Sequence, residues 1–420
     1  MRIYQEKEAW SYVAHLENRG VELNLFKEAV QPILDAVKYR GDEAVREYTV
    51  KLYGVDLSYE EFMVSKEEYE EAMAQVSDEA LEVIEEIANQ ARRFHELQKP
   101  ENLTISEDGI NCRLMWLPLD RIGVHIPEFD EVAYISTMIF HVVPAKVAGV
   151  DEIAIFTPPL TGGRVNPLLL AAAKVLDVDE IYRIGGPVAV AAMAYGTTTI
   201  SSVDKIFGTG DHYFMAAKKA VAQDTNVDMP SGPSELLVFA DSSVSPKRII
   251  DEMVSQAEHG PEVLEILVTD SLELAEEVSS KIEGLRSEKI AASFLEENCI
   301  ALVFNELEDA VSAINIISPE RVSIMGRSAV QLANKIVNAG AVFVGDRTPS
   351  ALGDYLPFMN QQLPSGGCSR RYGALTVMEF LRPMYNVTVS GEVGTDLKDL
   401  MKKLALLEGF PEHATSIDMI

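Results

Sequence analysis

The chain has 420 residues, room for two to four domains of ordinary size, and its 47% hydrophobic and 24% charged composition is that of a soluble globular protein. A formal net charge of −30 argues against nucleic acid and anionic membrane as partners. The N-terminus, MRIYQEKEAW, is charged from its second residue, so no signal peptide is expected, and no apolar run approaches a membrane span. The three cysteines, Cys112, Cys299 and Cys368, are odd in number and form no C-x-x-C, which fits a reducing cytoplasm.

Residues 1–98 are expected to be helical and acidic. Amphipathic spacing marks Leu25–Tyr39, Asp42–Leu52 and Ser77–Leu97, the last with Leu81, Ile84, Ile87 and Ala91 on one stripe. Strands follow at Asn111–Leu117 and Arg121–Ile126. From about Thr137 the pattern alternates: helix Ile139–Ala148, strand Glu152–Phe156, helix Leu168–Leu176, strand Glu180–Ile184, helix Val188–Tyr195, strand Lys205–Phe207, helix His212–Gln223. Such a β–α alternation implies a parallel sheet with helices on its faces. The strand-to-helix turns at Gly185-Gly186 and Gly208-Thr209-Gly210 could cradle phosphate on backbone amides, although neither is a full G-x-G-x-x-G.

The stretch Pro230–Gly260 carries the densest information. A turn cluster, Pro230 to Ser234, leads into a buried-strand run, Leu236–Ala240. Ser245-Pro246 then opens a helix with Ile249, Ile250, Met253 and Ala257 at helical period, and Gly260 ends it. Gln256 and His259, three apart, leave that helix on one face near its end. They could be two metal ligands, or His259 could simply be a cation at the negative end of a helix dipole. Alternation resumes with strand Glu265–Thr269, helix Leu272–Leu285, strand Cys299–Phe304, helix Leu307–Ile317, strand Val322–Met325, helix Ala329–Ala339 and strand Ala341–Val344. Residues 346–374 are turn-rich, the mark of a long functional loop. The last 45 residues show one helical segment, Asp396–Glu408, and a tail containing one of only seven histidines.

Several runs resemble the histidinol dehydrogenase family: PAKVAGVDEI and TPP, AYGTTTI, DMPSGPSELLV, SQAEHGP, INIISPE, NAGAVFVGD, ALGDY and the terminal EHATSI. The resemblance is strongest from about Asp120 to Ile417. It implies an α/β fold of two incomplete Rossmann-like parallel-sheet domains, with a helical N-terminal arm and a swapped C-terminal tail. The expected division is an arm at 1–20, a first α/β domain at 21–124 plus 231–375, an inserted Rossmann-like domain at 125–230, and a tail domain at 376–420. It also implies a homodimer with shared active sites that oxidises an amino alcohol with NAD and one zinc per subunit, as part of amino-acid metabolism. The zinc ligands of the family fall on Gln256, His259, Asp354 and His413, a donor set suited to zinc. Its substrate contacts fall on Ser234 and Glu408, and its water-activating acid on Glu320.

The sequence departs from the family pattern at defined places. The family's general-base histidine is here Arg321, whose guanidinium stays protonated and cannot accept a proton. A second active-site histidine is Gln361. On the cofactor side, family positions are occupied by His125, Val188 and Asp211, and two glycines by Glu128 and Phe129; Glu128 and Asp211 place carboxylates where a pyrophosphate would approach. The expectation is a zinc-dependent, NAD-linked alcohol or amino-alcohol dehydrogenase acting on a small molecule other than histidinol, such as one with an anionic group held by Arg321. In that scheme Glu320 and Arg321 are catalytic, and Ser234, Gln361 and Glu408 bind substrate. The alternatives are a zinc-dependent non-redox enzyme, or a non-catalytic metal-binding paralogue that no longer uses NAD.

Overall fold

A computed structural model describes residues 1–17, 19, 23–127, 132–260, 262–284 and 298–420. Two parallel sheets and one antiparallel sheet organise it. The larger sheet has six strands in the spatial order Arg2–Gln5, Cys299–Val303, Leu264–Thr269, Glu235–Ala240, Arg321–Met325 and Ala341–Val344, every pairing parallel. The runs ELLVFA, CIALV and RVSIM are buried at every position, because helices cover both faces of the sheet. Four residues at the start, expected to be helical, instead extend this sheet, with Arg2 opposite Ile300 and Gln5 opposite Val303. A four-residue edge strand is too short to announce itself by periodicity.

The second sheet has five parallel strands in the order Glu180–Tyr182, Glu152–Phe156, Arg121–His125, Lys205–Gly208 and Asn226–Val227. Helices Ile135–Ala148, Pro167–Val175, Gly186–Tyr195 and His212–Val221 connect them. The α/β architecture expected from the alternation is thus present in both halves of the chain. The helical segments before residue 98 do not join the six-stranded sheet, as the expected division supposed. Val30, Leu34, Val45 and Phe62 pack with Phe156, Ala191 and Phe214, and Ile84, Ala88 and Ala91 pack with Val124, Phe140 and Ile155. Each amphipathic helix buries its stripe on the apolar sheet face within its reach, and that face belongs to the five-stranded sheet. Strand Arg121–His125, placed in the first domain by the expected boundary, lies inside this second sheet.

The third sheet is antiparallel: the expected strand at Asn111–Leu117 is present as Ile110–Pro118, and its partners Leu381–Val389 and Leu103–Glu107 were not legible. Two helices follow, Thr395–Leu407 and Pro411–Ile417, where one was expected. The expected helix Ala329–Ala339 is a 3₁₀ stretch, Ala329–Lys335. Among the described residues no helix is long and apolar enough to cross a membrane.

Candidate active site

The amino ends of the six-stranded sheet face the carboxyl ends of the five-stranded sheet across a pocket of about 670 Å³. From the first side come Ser234, His259, Glu320, Arg321 and Asp354; from the second come Thr137, Thr209, Gly210 and Asp211. Local turns aim the first group. Gly232 N–H donates to Ser365 Oγ (2.8 Å), which holds the Pro230–Ser234 turn against the loop carrying Gly366. Ser318 ends helix Leu307–Ile317 in the left-handed region at φ 49°, with its Oγ donating to Asn315 O (2.9 Å). Pro319 follows, and the chain enters its strand with Glu320 and Arg321 at the pocket wall.

Those side chains form a buried network of alternating charge. Glu320 Oε2 accepts from the Glu235 N–H (2.9 Å), and Glu235 Oε2 accepts from the Glu320 N–H (3.2 Å), so the starts of two neighbouring strands are cross-tied. Behind them Arg19 grips Glu235 with two bonds of 2.7 Å. Ahead of them Arg321 makes a bidentate pair with Asp354, Nη1 to Oδ2 at 2.8 Å and Nη2 to Oδ1 at 2.7 Å, while its Nε donates to Glu320 Oε1 (3.2 Å). Its Nη1 also lies 3.4 Å from Gln256 Oε1. His259 Nε2 is 3.5 Å from Asp354 Oδ2, and its Nδ1 is 3.5 Å from Ser234 Oγ. Burial pushes the Glu320 carboxyl up to about 7, against the pull of Arg321 and the Glu235 N–H. Burial also acts to raise Asp354, but the His259 hydrogen bond and the Arg321 charge win and hold it at about 2.

Of the residues singled out from sequence, Ser234, Gln256, His259, Glu320, Arg321 and Asp354 are brought together. Gln361 lies beside them, its amide best satisfied with the nitrogen donating to Asp354 O (3.0 Å) and the oxygen accepting from Thr137 N–H (3.1 Å). Glu408 and His413 are not in this group. They belong to the exposed tail helices and line no part of the chain's own pocket, and His413 stacks on Phe410 with ring centroids 5.0 Å apart. Arg19 and Glu235 were missed, since no local pattern connects an arginine in the arm with a strand 216 residues away.

The expected cofactor contacts fare differently. His125 is buried, with Nδ1 donating to Thr209 O (2.7 Å), Nε2 accepting from Gly186 N–H (3.1 Å) and its ring stacked on Phe214. It therefore staples two turns together and does not line this pocket. Val188 is wholly buried in the core around helix Gly186–Tyr195 and is likewise no pocket residue. Both side chains are buried within the fold, His125 against Phe214 and Val188 in the core around its own helix. Asp211 does line the pocket, but its Oδ1 accepts from the Phe214 N–H (2.8 Å) as a helix N-cap. Gly208, at φ +113°, packs so closely that a Cβ would fall 2.2 Å from His125 O, which reserves the position for glycine. Glu128 and Phe129 lie outside the described residues.

A histidinol dehydrogenase family model matches residues 16–419. A histidinol dehydrogenase of Methanosarcina mazei is 36% identical over 409 residues, covering 96% of this chain and 93% of its own. One from Syntrophotalea carbinolica is 38% identical, covering 94% and 92%. The crystal structure of histidinol dehydrogenase from Elizabethkingia anophelis superposes with a TM-score of 0.87 at 30% identity, over 100% of this chain and 97% of that one. This chain belongs to the histidinol dehydrogenase family.

Family membership raises the question of zinc, and the residues present do not fit it. Both Asp354 oxygens are taken by Arg321, and Gln256 Oε1 faces the same guanidinium. Among the described residues no three His, Cys, Asp or Glu side chains form a metal-binding group. A divalent ion about 4 Å from a fixed guanidinium would be opposed by roughly 8 kcal/mol at an effective dielectric constant of about 20. NAD fits better at one end than the other. The pocket lining includes the apolar Ile84, Ile87, Ile135 and Ile139, which suit a flat ring. Its diphosphate meets turns whose donors are already engaged by His125 and Asp211.

Proposed function

We propose that this chain is an NAD-linked dehydrogenase that oxidises the CH–OH group of an amino alcohol, with histidinol as the substrate to test first. The names of relatives 36–38% identical over more than nine-tenths of the chain support the dehydrogenase reading. The observation that carries the chemistry is the buried Glu320 carboxylate on the pocket wall, held between the Glu235 N–H and Arg321. NAD, when bound, supplies the hydride acceptor. Glu320 accepts the proton of the substrate hydroxyl, as a base poised near neutrality should. Arg321 and His259 face the oxygen on which negative charge develops, and Ser234 orients His259.

Arg321 was expected to clamp an anionic substrate, and its geometry removes that reason. The guanidinium is committed to Asp354 and Glu320, and its side chain is 3% exposed. The pocket wall carries Asp211, Glu262, Glu320 and Asp354 against Arg321 alone, a balance that favours a cationic substrate such as an amino alcohol. The exposed apolar face of the tail, Leu400, Leu404, Leu407 and Phe410, supports a homodimer in which the tail, with Glu408 and His413, docks on a second copy. Three unpaired cysteines support a cytoplasmic location.

The test is calorimetric titration with NAD, with histidinol-dependent NADH formation followed by absorbance. Turnover of histidinol is the expected result. NAD binding without turnover would keep the dehydrogenase and move the search to other amino alcohols. A protein that binds no NAD would overturn the reading.

A further inference from the structure

The family's metal site and this chain's Arg321 compete for the same carboxylate and the same amide. We propose that the Arg321 guanidinium is the built-in cation of this pocket, standing where a divalent ion would otherwise be held, so that the site binds no metal. The proposal concerns the same pocket as the dehydrogenase reading and rests on it only for the role of the bound substrate.

Three features of the geometry point this way. The guanidinium is anchored on the strand side by Glu320 Oε1 and on the loop side by both Asp354 oxygens, so it is fixed in place and cannot swing aside without stranding two carboxylates. The donors that a metal would need converge on it: Gln256 turns its Oε1 toward Nη1, leaving its buried Nε2 without a partner among the described residues, and among these His259 reaches only Asp354 and Ser234. The hydrogen-bond count also leaves a use for the group. Of the five N–H donors of an arginine, four are directed at Glu320, Gln256 and Asp354, and one on Nη2 has no acceptor among the described residues. Arg321 lines the pocket, and in this proposal that donor serves a substrate oxygen. A charge-assisted N–H bond stabilises a developing alkoxide as a Lewis acid would, and a guanidinium is permanently charged and cannot be chelated away.

The experiment reads metal directly and needs no activity. Purified full-length protein is dialysed against zinc, its metal content is measured by mass spectrometry, and its thermal midpoint is recorded with zinc and with EDTA. The expected result is far less than one ion per chain and a midpoint that neither reagent moves. The Arg321→His variant, which releases Asp354 and Gln256, is expected to retain about one zinc per chain and to gain a midpoint that zinc raises and EDTA lowers. Native protein that keeps one zinc per chain and loses stability to EDTA would overturn the proposal. So would a folded Arg321→His variant that remains as free of zinc as the native chain, because Arg321 would then not be what displaces the metal. Either result leaves the NAD and histidinol measurements to decide the dehydrogenase reading separately.

Discussion

The two parallel sheets offer the pocket opposite ends and opposite kinds of chemistry. The six-stranded sheet presents strand starts from which charged side chains, Glu320 and Arg321 with Asp354, meet in a water-poor cluster. The five-stranded sheet presents strand ends whose turns carry the polar groups on the backbone, and those groups are answered from within: Gly186 N–H by His125, Phe214 N–H by Asp211, Gly208 N–H by Asp228. The side-chain network keeps one Arg321 N–H without an acceptor among the described residues, whereas these backbone donors are already bonded to their own chain. The proposed chemistry thus belongs to the first sheet, with the second as a wall.

The largest expected effect tests that assignment. Glu320→Gln keeps shape and the Glu235 N–H bond but removes the base, and should lower kcat by about a hundred- to ten-thousand-fold with the fold intact. The native rate should climb with pH through about 7, where Glu320 loses its proton, and then level off. The linkage has a definite sign. A carboxyl whose folded pKa is raised stabilises most when protonated, so its contribution is lost as pH rises through about 7, and the variant should be spared that loss. A Glu320→Gln enzyme with native turnover would move the chemistry to another group.

The second sheet is tested through its staple. His125→Ala would leave the buried Gly186 N–H and the part-buried Thr209 carbonyl without this partner, at a cost of about 2 kcal/mol in unfolding free energy. Burial lowers the His125 pKa from 6.5 to about 4, so the unfolded chain takes up the proton first. Its stabilisation is complete above about 6.5 and drains as pH falls toward 4. The variant should therefore melt lower at neutral pH and show a shallower fall across that interval. Melting curves that stay parallel to the native ones would mean that His125 does not carry this linkage.

How much of this was legible follows from the range of each interaction. The alternation of apolar strands with helices of period 3.6 is local, and it marked both parallel sheets. Asn111–Leu117 was visible as a strand, but its antiparallel partner Leu381–Val389 was not, because pairing at that distance leaves no periodic trace. Arg321 could be recognised as a group that cannot be a base from its side chain alone. Its commitment to Asp354 was not readable, since a bidentate pair needs the loop after Thr348 to fold back over the strand, and charge signs do not specify that path. His125 and Val188 were assigned by position in a motif, which says nothing about whether a side chain points out of the sheet end or into the layer beneath.

The smallest effect probes the one residue the two descriptions share, since Asp211 both caps its helix and lines the pocket. Asp211→Asn separates the two roles. Asparagine caps a helix about as well as aspartate, so the thermal midpoint should barely move. Removing the charge should tighten NAD binding, because a carboxylate about 4 Å from a phosphate in well-solvated surroundings costs about 1 kcal/mol, close to a fivefold change in Kd. That gain should shrink as salt is added. Unchanged affinity with an unchanged midpoint would place the diphosphate away from this helix. A loss of affinity would make Asp211 a ligand group for a ribose hydroxyl, and the second sheet would then be more than a wall.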